Sequence, residues 1–188
     1  MVVDTLCLVD IMHYHVKVGL PAGMFSHIDD WNLLREQIRA EVDIVMRKYD
    51  DSNEMEEADM IDYGIMPEHY EDGDDKWLVN PEGIYDWYEI GGRWRLDMMP
   101  AKAHLDSWSE KFRELYVSLH TSKLHDECDV PFYLITLEEP HDMMSIERFD
   151  IDEGDIIDKG KDFKEWLRNY DKESKYDDYI WTTVDIHN

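Results

Sequence analysis

The sequence predicts an α+β domain, and three observations carry that prediction. A segment of alternating apolar and β-branched residues stands near the start of the chain, and a second strand-like segment closes it. Other segments repeat apolar residues every three or four positions, the period of a helix packed on one side. With residues 50–125 set aside, the order along the chain is strand, helix, strand, strand, helix, strand. At 188 residues the chain fits one domain with a sizeable insertion. Hydrophobic residues make up 43%, with seven Trp and eleven Tyr, enough apolar side chain to build a core despite the charge.

Residues 5–18, TLCLVDIMHYHVKV, alternate and favour extended backbone, so they are read as a long first strand. GLPAG then turns the chain. A helix begins between Ser26 and Asp30, where acidic residues complement the macrodipole. Trp31, Leu34, Ile38, Val42 and Val45 mark its apolar face as far as Tyr49. In residues 50–75, twelve of the 26 positions are Asp or Glu and none is Lys or Arg. Met55, Met60, Ile61, Tyr63, Ile65 and Met66 are interspersed, so the segment is read as a docked acidic connector with a short helix near 54–62.

Residues 77–100 are the most distinctive stretch. Asn80-Pro81-Glu82-Gly83 is a turn signal, followed by a strand from Ile84 to Ile90. Gly91-Gly92 marks a bulge or sharp bend, and Arg93 to Leu96 is expected to continue the strand. A helix is expected from His104 to Leu119, burying Leu105, Trp108, Phe112, Leu115 and Leu119. Further strands are expected at Phe132 to Leu137 and Met144 to Phe149, then an acidic loop over 150–160. Phe163, Trp166, Leu167 and Tyr170 mark a second helix, and Tyr179 to Ile186 a closing strand. This is the ferredoxin-like βαββαβ order: an antiparallel sheet with helices on one face. Residues 50–125 would be an elaboration between the first helix and the second strand.

The composition also limits function. Forty-five Asp and Glu against nineteen Lys and Arg give a formal net charge of −26. Such a field repels nucleic acid and anionic membrane and attracts basic surfaces, although the same charge also suits a solubility adaptation or a salt-adapted host. Cys7 and Cys128 are too few for a disulfide framework and fit free thiols in a reducing compartment. Residues 1–18 carry Asp4 and Asp10 and do not resemble a signal peptide. No run approaches the roughly 18 apolar residues of a membrane helix. A cytosolic location is expected.

The stretch from Asn80 to Trp94, NPEGIYDWYEIGGRW, resembles a motif of an uncharacterised bacteriophage and prophage protein family, roughly N-P-x-x-x-W-D-W-Y-x-I-G-G-R-W. Tyr85 stands where that family usually has Trp. Thr183-Val184-Asp185-Ile186-His187 is similar to the family's terminal V-D-x-H pattern, and Pro131-Phe132-Tyr133-Leu134 to its P-F-x-x-V segment. The family's usual acidic motif after the first strand is absent. The resemblance implies a phage or mobile-element origin, with the host cytoplasm as the setting, and no particular activity.

Three chemistries are open to these residues. In the first, Asp50, Asp51, Glu54, Glu56, Glu57, Asp59 and Asp62, interleaved with apolar anchors, bind a basic, nucleic-acid-handling host protein. They would do so by imitating the phosphates of a duplex. In the second, Tyr85, Trp87, Tyr88, Arg93 and Trp94 form a pocket for a nucleotide signal, a base stacking on Trp and Arg93 holding phosphate. The plainer account of those five is a structural corner, with Trp87 and Trp94 in the core and Arg93 paired to Asp86. In the third, His13, His15 and His187, joined by Asp185 if the first and last strands are neighbours, bind a metal. The plainer account is a set of ordinary sheet histidines. Phosphate-loop, dinucleotide, nucleophile-elbow and EF-hand patterns are all absent. Carboxylates near Cys128 would raise its pKa and weaken it as a nucleophile. The balance is a non-catalytic protein needing no cofactor, with a basic protein as partner.

Overall fold

A computed structural model describes residues 13–51, 55–72, 75–99, 114–126, 128–136, 142–145, 149–152, 155–158, 162–170 and 174–187. In chain order the elements are β1 (His13–Pro21), α1 (Trp31–Arg47), α2 (Glu57–Asp62), β2 (Glu68–Asp72), β3 (Asp75–Val79), β4 (Trp87–Ile90) and β5 (Ser118–His120). They continue with β6 (Tyr133–Thr136), β7 (Asp142–Ser145), β8 (Phe149–Asp152), β9 (Asp155–Asp158), α3 (Phe163–Tyr170) and β10 (Tyr179–His187). The fold is mixed α+β. Its main sheet has the order β4-β10-β1-β6-β7, and β5 pairs with β10 beyond the end of β4.

The alternation of β1 explains the two layers built on this sheet. Tyr14, Val16, Val18 and Leu20 share one face, and Val16, Val18 and Leu20 are completely buried. Against them α1 packs Ile38, Val42, Val45 and Met46. Burying a side chain of this size stabilises by about 1.5–3 kcal/mol. The helix begins at Asp30, whose carboxylate accepts the Leu33 N–H at 2.9 Å and satisfies one of the open donors of the first turn. Trp31, expected on the apolar face, instead lies at the exposed N-terminal turn.

The other face of β1 presents His13, His15, Lys17 and Gly19. Gly19 lies opposite Trp181, and a Cβ there would collide with the indole ring. Trp181 packs with Phe163 and Leu167 of α3 and with Leu134, Tyr176 and Tyr179. The two helices therefore cover opposite faces, not one. This is the first departure from the ferredoxin-like expectation.

Strand order is the second. β6 runs parallel and directly beside β1, with β7 outside it. In the ferredoxin-like order the third strand would separate the first two. Parallel β6 takes the edge of β1 that the third strand would have used, and α3 covers the face that Gly19 leaves open for Trp181. Residues within the 50–125 elaboration supply β4 and β5, which pair antiparallel with the two halves of β10, so the elaboration enlarges the sheet.

Other expectations are corrected locally. β2 and β3 form a hairpin where a connector was expected, and β8 and β9 form one within the expected acidic loop. After Gly91 the chain leaves the strand as a short 3-10 turn, Gly92–Trp94, in place of a continuation. Of the helix expected over 104–119, residues 104–113 lie outside the described residues. Its remainder is a 3-10 turn (Glu114–Tyr116) and the start of β5. Residues 5–12 of the first strand, and 137 and 146–148 of two later ones, are likewise outside the described residues. Among the described residues no helix is long and apolar enough to cross a membrane.

Candidate functional site

The acidic segment folds onto the domain by two buried side chains. Met60 of α2 and Ile65 just after it are almost wholly buried, and the Ile65 N–H donates to the Met60 carbonyl at 2.9 Å. Tyr63 adds a polar tie, its hydroxyl accepting from Arg47 Nη1 at 3.0 Å. With those residues turned inward, Glu56, Glu57, Asp59 and Asp62 are exposed. The following hairpin adds exposed Glu68, Glu71, Asp72 and Asp75. Large apolar side chains stand among these carboxylates: Ile61, Met66 at 81% exposure, and the stacked pair Tyr70 and Trp77.

Asp50 and Asp51 sit at the base of this arm, half-buried, and their backbones are part of the frame. The Asp50 carbonyl accepts from Asn80 Nδ2 at 2.8 Å, and the Asp51 N–H donates to the Tyr85 carbonyl at 2.8 Å. Burial, and then the carboxylates of Asp86 and Asp50, push the Asp51 carboxyl above its usual range. Glu54 lies outside the described residues.

The aromatic motif divides between frame and surface. Asn80 is buried and holds the turn: Nδ2 donates to the Lys48 and Asp50 carbonyls, and Oδ1 accepts the Glu82 N–H. Gly83 is required because a Cβ would strike Asp51. Tyr85 is buried against α1, donating its hydroxyl to the Met46 carbonyl at 2.6 Å, and burial drives its pKa far upward. Tyr88 packs on the same side at 5.2 Å from Tyr85 and donates to Asp43. Strict alternation from Tyr85 would have set these two on opposite faces. It fails because the strand begins only at Trp87, while Tyr85 pairs with Asp50 in an isolated bridge.

Trp87 and Trp94 lie on the other side of the sheet. Trp87 is 51% exposed, not in the core. Trp94 stacks on the His15 ring at 4.8 Å, and its indole N–H is buried with no partner among the described residues. Arg93 does not pair with Asp86, which instead lies 3.8 Å from His187 Nδ1. The five motif residues thus do not surround one pocket.

What the structure does bring together is the glycine-arginine turn and the end of β10. Asp185 is buried between them. Its Oδ1 accepts from His13 Nδ1 at 3.0 Å, and its Oδ2 accepts the Arg93 backbone N–H at 3.0 Å. Gly92, at φ +44°, permits this approach, because a Cβ would overlap the Asp185 side chain. His13 faces His187, and His15 faces Asp185, across β1 and β10. All four share one face, as strand neighbourhood requires. His13 touches both Asp185 and His187, but among the described residues no three His, Cys, Asp or Glu are arranged to hold a metal ion.

Beneath this end lies an ammonium group. Lys17 is fully buried, and Nζ donates to Asp97 Oδ2 at 2.5 Å, the Asp129 carbonyl at 2.8 Å and His15 Nε2 at 3.2 Å. Asp97 Oδ1 takes the Asp129 N–H at 2.7 Å, so one carboxylate ties three chain segments. Burial lowers the pKa of Lys17 against the opposing pull of Asp97, and burial holds His15 well below its ordinary value. Cys128 is buried beside them. Its thiol is pushed up to about 11 by burial first and Asp97 second, so it is no activated nucleophile. The neighbours in sequence were a weaker reason than the packing.

No protein-family model, curated protein or solved structure matches this chain. The site residues that sequence reasoning missed are Lys17 and Asp97. Both sit in unremarkable local contexts, and their pairing depends on a fold-back of 80 residues along the chain.

Proposed function

We propose that this is a non-catalytic, phage-encoded interaction protein that binds and inhibits a basic, nucleic-acid-handling protein of the host cell. Its contact surface is the acidic arm formed by α2 and the β2–β3 hairpin. The observation that carries the reading is the ordered alternation on that arm of exposed carboxylates with Ile61, Met66, Tyr70 and Trp77. Carboxylates held on a docked scaffold keep a spacing that a basic groove can match, and steer its approach. The apolar groups between them supply the desolvated anchors that an all-acidic surface lacks. Glu56, Glu57, Asp59 and Asp62 are the central contacts. Asp50 and Asp51 set the base of the arm.

The test is a comparison of the native chain with a variant bearing Glu56→Lys, Glu57→Lys, Asp59→Lys and Asp62→Lys. Both are used to capture proteins from bacterial lysate at low and high salt. The captured protein is then purified and titrated against each in the presence of duplex DNA. The expected result is a basic DNA- or RNA-handling protein held at low salt, released at high salt or by DNA, and not held by the variant. Equal retention by the variant refutes the reading.

A further inference from the structure

We propose that the end of the sheet carrying Trp87, His187 and His13 binds a small aromatic phosphate of the mononucleotide class, with Arg93 taking the phosphate. The site is separate from the acidic arm and does not rest on the arm's role. Strand register sets His13 opposite His187, and His187 opposite Trp87, so three rings stand in a row across β1, β10 and β4. Ring centroids are 4.2 Å apart for the two histidines and 5.5 Å for Trp87 and His187, both edge-on. Trp87 is thereby held from one side while half its surface stays open. An anchored, open indole is a stacking platform for a base.

The polar groups around this row have unused valence. His13 commits Nδ1 to Asp185, which leaves Nε2 without a partner among the described residues and directed by a buried carboxylate. Arg93 is fixed through its backbone to the same carboxylate, yet its exposed guanidinium makes no hydrogen bond or ion pair among the described residues. Arg35, Arg39, Lys48, Lys76 and Lys164, by contrast, are each paired to a carboxylate. A guanidinium held at its root and open at its tip suits bidentate contact with phosphate. Asp86, near His187, and Glu89, beside Asp185 in the register, add negative charge at the margin. They offer acceptors to ribose hydroxyls and repel a polyanion, so the fit is to one nucleotide and not to a strand.

The experiment is calorimetric titration of the full chain with AMP, adenosine and inorganic phosphate, each alone. Variants are Trp87→Ala, Arg93→Gln and, as a control on the distant hairpin, Trp77→Ala. Trp87 and Arg93 are exposed, so the variants should fold. The expected result is saturable one-to-one binding of AMP, tighter than either fragment. Loss of the stacking platform should weaken AMP by about fivefold or more. Arg93→Gln should weaken AMP while leaving adenosine unchanged, and Trp77→Ala should change neither. The proposal is overturned by absence of saturable binding at millimolar AMP. It is equally overturned by AMP binding that Trp87→Ala and Arg93→Gln leave intact, or by phosphate binding as tightly as AMP.

Discussion

Replacing Lys17 with methionine keeps the length and most of the apolar stem of the side chain but removes the ammonium from its three acceptors. The consequence falls mainly on Asp97. Its carboxylate is only 2% exposed and relies on Lys17 as its cation, while its other oxygen holds the Asp129 N–H. Breaking a buried pair from one side leaves an uncompensated charge, at a cost of about 3–5 kcal/mol. For a chain of this size each kcal/mol moves Tm by about 2–4 °C, so Tm should fall by about 6–20 °C. The double variant Lys17→Met with Asp97→Asn removes the stranded charge, and an amide at position 97 still accepts the Asp129 N–H. It should therefore be more stable than the single variant. The assay is urea unfolding followed by Trp fluorescence and circular dichroism, with calorimetric Tm as a check. A loss below about 1 kcal/mol for Lys17→Met, or a double variant no better than the single, refutes the view that this cluster is an electrostatically closed pin.

Gly92→Ala should destabilise by about 2 kcal/mol or more, combining a left-handed backbone with displacement of Asp185. Gly23→Ala, where a Cβ meets open space, should be nearly neutral; thermal unfolding of the two side by side checks both. For His15 the folded-state pKa lies below its unfolded value of 6.5, so below that pH the unfolded chain binds a proton that the folded chain does not. Stability should fall as pH drops below 6.5, with up to about 1.4 kcal/mol per pH unit from this residue. His15→Gln keeps an acceptor for Lys17 without titrating and should flatten that slope; identical unfolding profiles from pH 7.5 to 4.5 would contradict the assignment.

Local sequence pattern carried the central framework. The 3.6-residue pattern through Ile38, Val42 and Val45 located α1, and segments rich in residues that favour extended backbone around Val16 and Val184 located β1 and β10, although both strands are buried on both faces and do not alternate in exposure. Strand order was not legible in the same way. Whether β6 or β7 lies beside β1 depends on contacts between segments more than 100 residues apart, for which local pattern has no term. The β2–β3 hairpin escaped notice because its residues are exposed on nearly every position, so no burial pattern marks it. At the site, the motif drew the eye to aromatic residues, several of which turned out to be framework: Tyr85 seals the end of α1, and Asn80 knots the turn. Asp185 and His13 were visible only as a spacing, and their value lies in a carboxylate that closes onto a glycine turn from another part of the chain.

The way β4 and β5 share β10 has an evolutionary corollary. Thr183 receives the Gly91 N–H on its carbonyl and gives its own N–H to the Val117 carbonyl. To the central strand, the residues on either side of the 92–116 excursion are therefore successive rungs of one edge. An excursion that leaves and rejoins a ladder at the same rung can change in length without shifting the register of the strand it returns to, provided that Gly92, Trp94, Asp97 and Met98, which the core grips, keep their places. The sheet behaves there as a socket, and only the part of the insert that the socket does not grip is open to rewriting.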